Sequence, residues 1–178
     1  MNRISPKVAV AAAVAAAAAG GLAQSAAART TAWSSAQDRT YLTTAMQGDR
    51  FEIEGAALAL KRSTNPDVRR IARVLARDHS ASLKDAAEVA HPRGVQIPHQ
   101  PTPTQRWQLD TLRKADAQSF DRAYLTLEVK DHQQDISEAT TESQEGSDAS
   151  VVEAARGEIG TLHRHLRLCH GAYVRLGT

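Results

Sequence analysis

Apolar and small side chains recur every three or four positions through most of the chain beyond residue 34, the spacing of helices with one buried stripe. Leu42, Ala45, Ala56 and Ala59 mark the first stripe, on a helix that Ser34 or Ser35 caps and that runs to about Ser63. Thr64-Asn65-Pro66 interrupts it. Pro66 suits the first position of a second helix capped by Asn65, because the N–H that proline lacks would have no partner there. Val68, Ile71, Ala72, Leu75, Leu83, Ala86 and Ala90 form its stripe, which stops at His91-Pro92-Arg93-Gly94. Four prolines between Pro92 and Pro103 make the next stretch a loop. A short helix is predicted over Thr104–Lys114, with Trp107, Leu109 and Leu112 on its stripe. Asp116 then reads as the cap of a third long helix reaching about Gln144, with Leu125, Val129, Ile136 and Ala139 facing inward. Gly146-Ser147-Asp148 supplies a stop and a cap, and a fourth long helix carries Val151, Ala155, Leu162, Leu166 and Cys169 before fading near Gly177. No stretch alternates with the two-residue period of a strand. The pattern predicts an all-α fold: an antiparallel four-helix bundle with a short extra helix before helix three. In an up-down-up-down order both short turns lie at one end.

The first 28 residues read differently. Arg3 and Lys7 precede an apolar run from Val8 to Ala23, no acidic residue is present, and Ala26-Ala27-Ala28 offers a small-residue cleavage site. That is the layout of a signal peptide over residues 1–28, with the helical domain at 29–178. The run is Ala-dominated and short of the roughly 20 apolar residues that a spanning helix needs. No stable membrane insertion is therefore expected after cleavage, and the periplasm or the extracellular space is the expected compartment. Cleavage would remove two basic residues and no acid, leaving a formal net charge of zero in place of +2. No basic field remains for nucleic acid. A single cysteine, Cys169, excludes an intramolecular disulfide and any cysteine-rich zinc site.

The residues that break the stripes carry the candidate chemistry. Glu52 lies seven from Ala45 and seven from Ala59, so it shares their face. His79 stands likewise between Ala72 and Ala86, and His132 between Leu125 and Ala139. His165 follows Leu162 by three and precedes Cys169 by four. Glu52 and His79 are 13 and 14 residues from Asn65, and His132 is 14 from Gly146, heights of roughly 20 Å along the helices. His165 is 19 from Gly146, roughly 28 Å and so about one turn off. One carboxylate and three imidazoles at one level suit a divalent transition metal, such as zinc, copper, nickel or iron. They equally suit a metal-free layer of Glu–His hydrogen bonds that fixes how the helices align. Asp78, Glu128, Glu158 and His163 are nearby further options for the site, each taken alone reading as a solvated surface group. Cys169 is read as a packed small hydrophobe.

Other chemistries find no residues. The Glu-x-x-His pairs of di-iron carboxylate proteins are absent, because Glu128 precedes His132 by four and residues 75 and 76 are Leu and Ala. Gly20-Gly21 lies in the leader, and neither a phosphate loop nor a Gly-x-Ser-x-Gly elbow occurs. His163 and His165, two apart, point to different helix faces. His91 and His99 belong to a plain connecting loop. An enzyme is not the expected reading.

Several short pieces fall in one order along the chain. They are Gln47-Gly48-Asp49-Arg50-Phe51-Glu52-Ile53-Glu54 with Leu58-Ala59, Asn65-Pro66-Asp67-Val68, Ile71-Ala72 and Asp78-His79. They continue as Gly94-Val95-Gln96-Ile97-Pro98, Phe120-Asp121-Arg122-Ala123-Tyr124, His132 and Leu162-x-x-His165-Leu166. Together they resemble an exported bacterial family, the domain of unknown function 4142, often labelled "predicted outer membrane protein". The resemblance implies a ferritin-like helical bundle, and its motif positions fall on Glu52, His79, His132 and His165. Gly160 departs from the family pattern, which has proline there and with it a kink in the fourth helix. A helical bundle with neither lipid anchor nor barrel strands has no means of spanning an outer membrane. The expectation is an exported, non-catalytic helical bundle whose inward Glu52, His79, His132 and His165 bind a divalent transition metal. The alternative is an envelope interaction or stress-response protein, with an envelope protein as partner, in which the polar layer is purely structural.

Overall fold

The computed structural model describes residues 34–177, so the expected signal peptide at 1–28 lies outside the described residues. Five α-helices and one 3-10 turn make up the described chain, and no strand occurs among the described residues. The helices are α1 (Ala36–Arg62), α2 (Pro66–Ala90), α3 (Pro103–Lys114), α4 (Phe120–Glu145) and α5 (Ala149–Arg175). The caps explain the boundaries. Ser35 accepts from Asp38 N while Asp38 accepts from Ser35 N, a reciprocal box at the start of α1. Asn65 accepts from Asp67 N and Val68 N ahead of Pro66. Asp148 accepts from Ser150 N at the start of α5. The Asp116 expectation is corrected: Asp116 accepts from Ser119 N at 2.7 Å and closes a separate turn, so α4 begins only at Phe120. On α3, Leu109 and Leu112 are buried but Trp107 is 68 % exposed, because a 12-residue helix lying outside the long ones has room for a narrow inner face only. Helix α5 runs unbroken through Gly160.

Each long helix packs chiefly on two others, α1 on α2 and α4, α5 on α4 and α2. Ser147 N and Asp148 N donate to Asp38 Oδ1 at 2.9 and 3.2 Å, which sets the α4–α5 turn beside the start of α1. Arg62, at the other end of α1, lies over the Phe120 ring at the start of α4, with its guanidinium carbon 4.6 Å from the ring centre. Arg175 near the end of α5 pairs with Asp67 at the start of α2. Helices α1 and α5 therefore run one way and α2 and α4 the other. The two short turns lie at opposite ends, not at one end as the up-down-up-down order supposed. The segment between α2 and α4 carries the chain back along the molecule's length, and its twelve-residue helix α3 rests on α1 and α4. Gly94 takes a left-handed conformation (φ 64°) after the 3-10 turn His91–Arg93, a backbone that glycine adopts without strain.

The apolar interior falls into two clusters. One gathers Ala59, Ile71, Leu75, Leu112, Phe120, Tyr124, Leu125 and Cys169 near the α1–α2 turn. The other gathers Tyr41, Leu42, Met46, Ala86, Ala139, Val151 and Leu162 near the α4–α5 turn. Buried polar groups lie between them: Asp49, Glu52, His79, Glu128, His132 and His165.

Candidate metal centre

The four residues singled out by the stripe pattern come together between the two clusters. From the α1–α2 end, Glu52 is 10 residues before Arg62 and His79 is 13 after Pro66. His132 is 12 after Phe120 and His165 is 10 before Arg175. At the helical rise these are heights of roughly 15, 20, 18 and 15 Å, all within about one turn. His165 is therefore level with the others, because α5 is measured from its far end once its turn lies opposite the first. The ring centres are 5.5 Å apart for His79 and His132, 5.2 Å for His79 and His165, and 5.3 Å for His132 and His165.

Each ring is held by one nitrogen. His79 Nδ1 lies 2.8 Å from Asp49 Oδ1 and 2.6 Å from Glu52 Oε2. His132 Nδ1 donates to the Glu128 carbonyl at 2.8 Å and lies 3.1 Å from Glu52 Oε1. His165 Nε2 donates to Asp78 Oδ2 at 2.9 Å. Whenever a ring is neutral, its acceptor keeps the proton on the bonded nitrogen and leaves the lone pair on the other. Those other nitrogens, His79 Nε2, His132 Nε2 and His165 Nδ1, are buried with no hydrogen-bond partner. One nitrogen from each of the three rings lies within 4.8 Å of the other two. Carboxylates also group with these residues: Asp49 and Glu52 with His79, Glu52 and Glu128 with His132, and Glu52 with Asp131 and Asp135.

The electrostatics follow from burial and charge. Burial opposes charge on His79, but the Glu52 and Asp49 carboxylates outweigh it and hold its pKa well above the usual imidazole value. Burial lowers His132, and it pushes His165 down to about 4. Burial likewise opposes charge on Glu52, yet His132 and His79 keep it below the usual carboxylate value. Burial lifts Asp49 to about 6. Glu128, Asp131 and Asp135 are raised well above the carboxylate range, first by burial and then by neighbouring carboxylates.

The surface reading holds for His163, which is exposed, and fails for Glu128, which is 1 % exposed. Asp78 and Glu158 are half-buried and bonded, Asp78 to His165 and Arg77, and Glu158 to Tyr41 and Ser82. Cys169 is buried, as expected of a packed residue. His91 and His99 are exposed. Asp49 was missed, although it precedes Glu52 by three and so shares its side of α1. Asp78 and the Glu128 carbonyl hold rings from outside the stripes, and a search of inward positions does not find such groups.

A family model described as "Domain of unknown function (DUF4142)" matches residues 10–170. No curated protein matches the chain. Among solved structures, a DUF305 fragment from Deinococcus radiodurans is similar at 17% identity and a TM-score of 0.71, covering 80% of this chain and 98% of that one. A DUF305 protein from Streptomyces coelicolor is similar at 15% identity and a TM-score of 0.68, covering 80% of this chain and 93% of its own. CopM in its Cu(I)-bound form is similar at 18% identity and a TM-score of 0.66, covering 78% of this chain and 96% of that one.

Proposed function

We propose that this chain, which belongs to the DUF4142 family, is an exported ferritin-like four-helix bundle that binds one transition-metal ion through His79, His132 and His165. The observation that carries the reading is the set of three buried ring nitrogens without partners, each on a ring whose opposite nitrogen is engaged. Leaving such groups bare inside a protein costs about 1–3 kcal/mol each, which a metal ion would relieve. Carboxylate or carbonyl partners on the far nitrogen fix ring orientation and raise ligand basicity, as metal-ligating histidines require. Glu52, expected from the sequence as the anionic ligand, lies 2.6 Å from His79 Nδ1 and 3.1 Å from His132 Nδ1 with both oxygens buried and without a hydrogen-bond partner, so it offsets the charge of the ion and is available as its carboxylate ligand. Three imidazoles leave a coordination position open and suit zinc, copper, nickel or iron. The Cu(I)-bound neighbour is consistent with a metal site in this fold.

Four long helices with antiparallel neighbours and one long connection support the ferritin-like arrangement. The basic start, apolar run and small-residue cleavage site of residues 1–28 support export. No helix among the described residues is long and apolar enough to cross a membrane.

The test is metal retention. Purified protein, stripped with chelator and loaded with Zn²⁺ or Cu²⁺, is expected to keep one equivalent through dialysis. The His79→Ala/His132→Ala protein, shown to be folded by circular dichroism, is expected to keep none. Binding should weaken as pH falls, because the ion must displace the proton that Glu52 and Asp49 stabilise on His79. Retention of metal by the folded double variant, or none by the parent, leaves the layer a purely structural device.

A further inference from the structure

The three rings are at most 4 % exposed, so an ion needs a way in. A cavity of about 490 Å³ reaches His79 and His165 and extends among α1, α2, α4 and α5 toward the end where α1 begins. Six acidic side chains line it: Asp49, Asp78, Asp85, Glu138, Glu158 and Asp135, the last with its pKa held well above the carboxylate range by burial. Its one arginine, Arg164, lies 3.6 Å from Asp78. At its inner end Asp49 Oδ2, His79 Nε2 and His165 Nδ1 are buried without hydrogen-bond partners. Toward the surface the lining is small and exposed, with Ala81 and Asp85 on α2 and Gly157 on α5. A Cβ added at Gly157 would meet nothing within 4 Å. Phe120, Tyr124, Leu125 and Leu75, on the other side of the polar layer, are buried and take no part in its lining.

We propose that this cavity is the port through which a hydrated divalent cation reaches and leaves the imidazole site, with its rim at Ala81, Asp85 and Gly157. The inference rests on the metal-binding reading above and deepens it. A cleft with carboxylate walls in a low-dielectric surround concentrates field lines, which raises the local concentration of cations and repels anionic chelates. The carboxylates at the mouth act on the rate of arrival, whereas the imidazoles and Asp49 set the affinity. A port also has a kinetic signature: narrowing it slows entry and exit by one factor and leaves their ratio unchanged.

Stopped-flow mixing of metal-free protein with Zn²⁺, and of zinc-loaded protein with excess chelator, measures the two rates. Gly157→Trp places an indole over open space at the rim and should slow both rates equally with an unchanged dissociation constant; Gly157→Leu serves if the indole prevents folding. Asp85→Asn/Glu138→Gln should slow association about tenfold at low ionic strength, with the difference vanishing in high salt. Zinc uptake with parental rates in both sets of variants overturns the port while leaving the metal site intact. Failure of the parent protein to take up zinc overturns both.

Discussion

Replacing Asp38 with alanine should be among the most damaging single changes outside the polar layer. The carboxylate is fully buried and carries much of the junction between the start of α1 and the α4–α5 turn. Its Oδ1 accepts from Ser147 N at 2.9 Å and from Asp148 N at 3.2 Å, and its Oδ2 accepts from Ser147 Oγ at 2.7 Å and from Ser35 N at 2.5 Å. Hydrogen bonds to a charged group contribute about 1.5–3 kcal/mol each, and bonds that share one carboxylate do not add. Water can reach the exposed Ser147 once the side chain is gone, so the expected loss is about 3 kcal/mol. For a domain of this size that is a fall of about 6–12 °C in Tm. Urea or thermal unfolding followed by circular dichroism measures it, with the exposed Asp85→Ala as a control expected to stay within about 0.5 kcal/mol. Acidity supplies a second check. Burial pushes the Asp38 pKa up, but the hydrogen bonds from Ser147 and Ser35 outweigh it and hold the pKa far below the usual carboxylate range. Its stabilisation is therefore complete above the unfolded value of about 3.9 and is lost as pH falls through the lower native value. The difference between parent and variant should persist at pH 5 and shrink only in strong acid. A loss under about 1 kcal/mol at neutral pH would refute the reasoning.

Two further changes probe the same end of the molecule. Gly146→Ala should destabilise the protein by about 1–3 kcal/mol in urea unfolding, since an added Cβ would lie 2.6 Å from both the Glu142 carbonyl oxygen and Val152 Cγ2. Its φ of −62° suits any residue, so the cost would come from crowding alone. Glu142→Gln should stabilise the protein at pH 8 and leave it nearly unchanged at pH 4. Burial first, and then the neighbouring Asp38, raise the Glu142 pKa to about 7. The penalty for its charge grows as pH rises from the unfolded value of about 4.3 to the native one, and unfolding curves across that range would show it.

Local signals carried most of the architecture. Asn65-Pro66 and Ser147-Asp148 mark their turns because proline and short polar caps satisfy backbone groups that any helix start leaves bare. Seven-residue spacing placed Glu52, His79 and His132 on inward faces, because two turns of helix return nearly to the same side. The sense of the third long helix was not legible. The chain between Ala90 and Phe120 could return to either end, and what decides is long-range: the Asp38 contacts with Ser147 and Asp148, and Arg62 over Phe120. For the same reason His165 was expected one turn away from residues it meets. The roles of Asp49, which the stripes do not single out, and of Asp78, which reads as a surface group, are not legible because a carboxylate that steadies a ring need not lie on the apolar stripe; it needs only to flank it.

The layer of charged and imidazole groups stands between two separate apolar compartments of the interior. Breathing at the end that holds Met46 and Leu162 therefore need not disturb the end that holds Phe120 and Ile71. Backbone amides in the two compartments can exchange with solvent on separate clocks, and an ion bridging three helices at the boundary would act as the rivet that makes them open together.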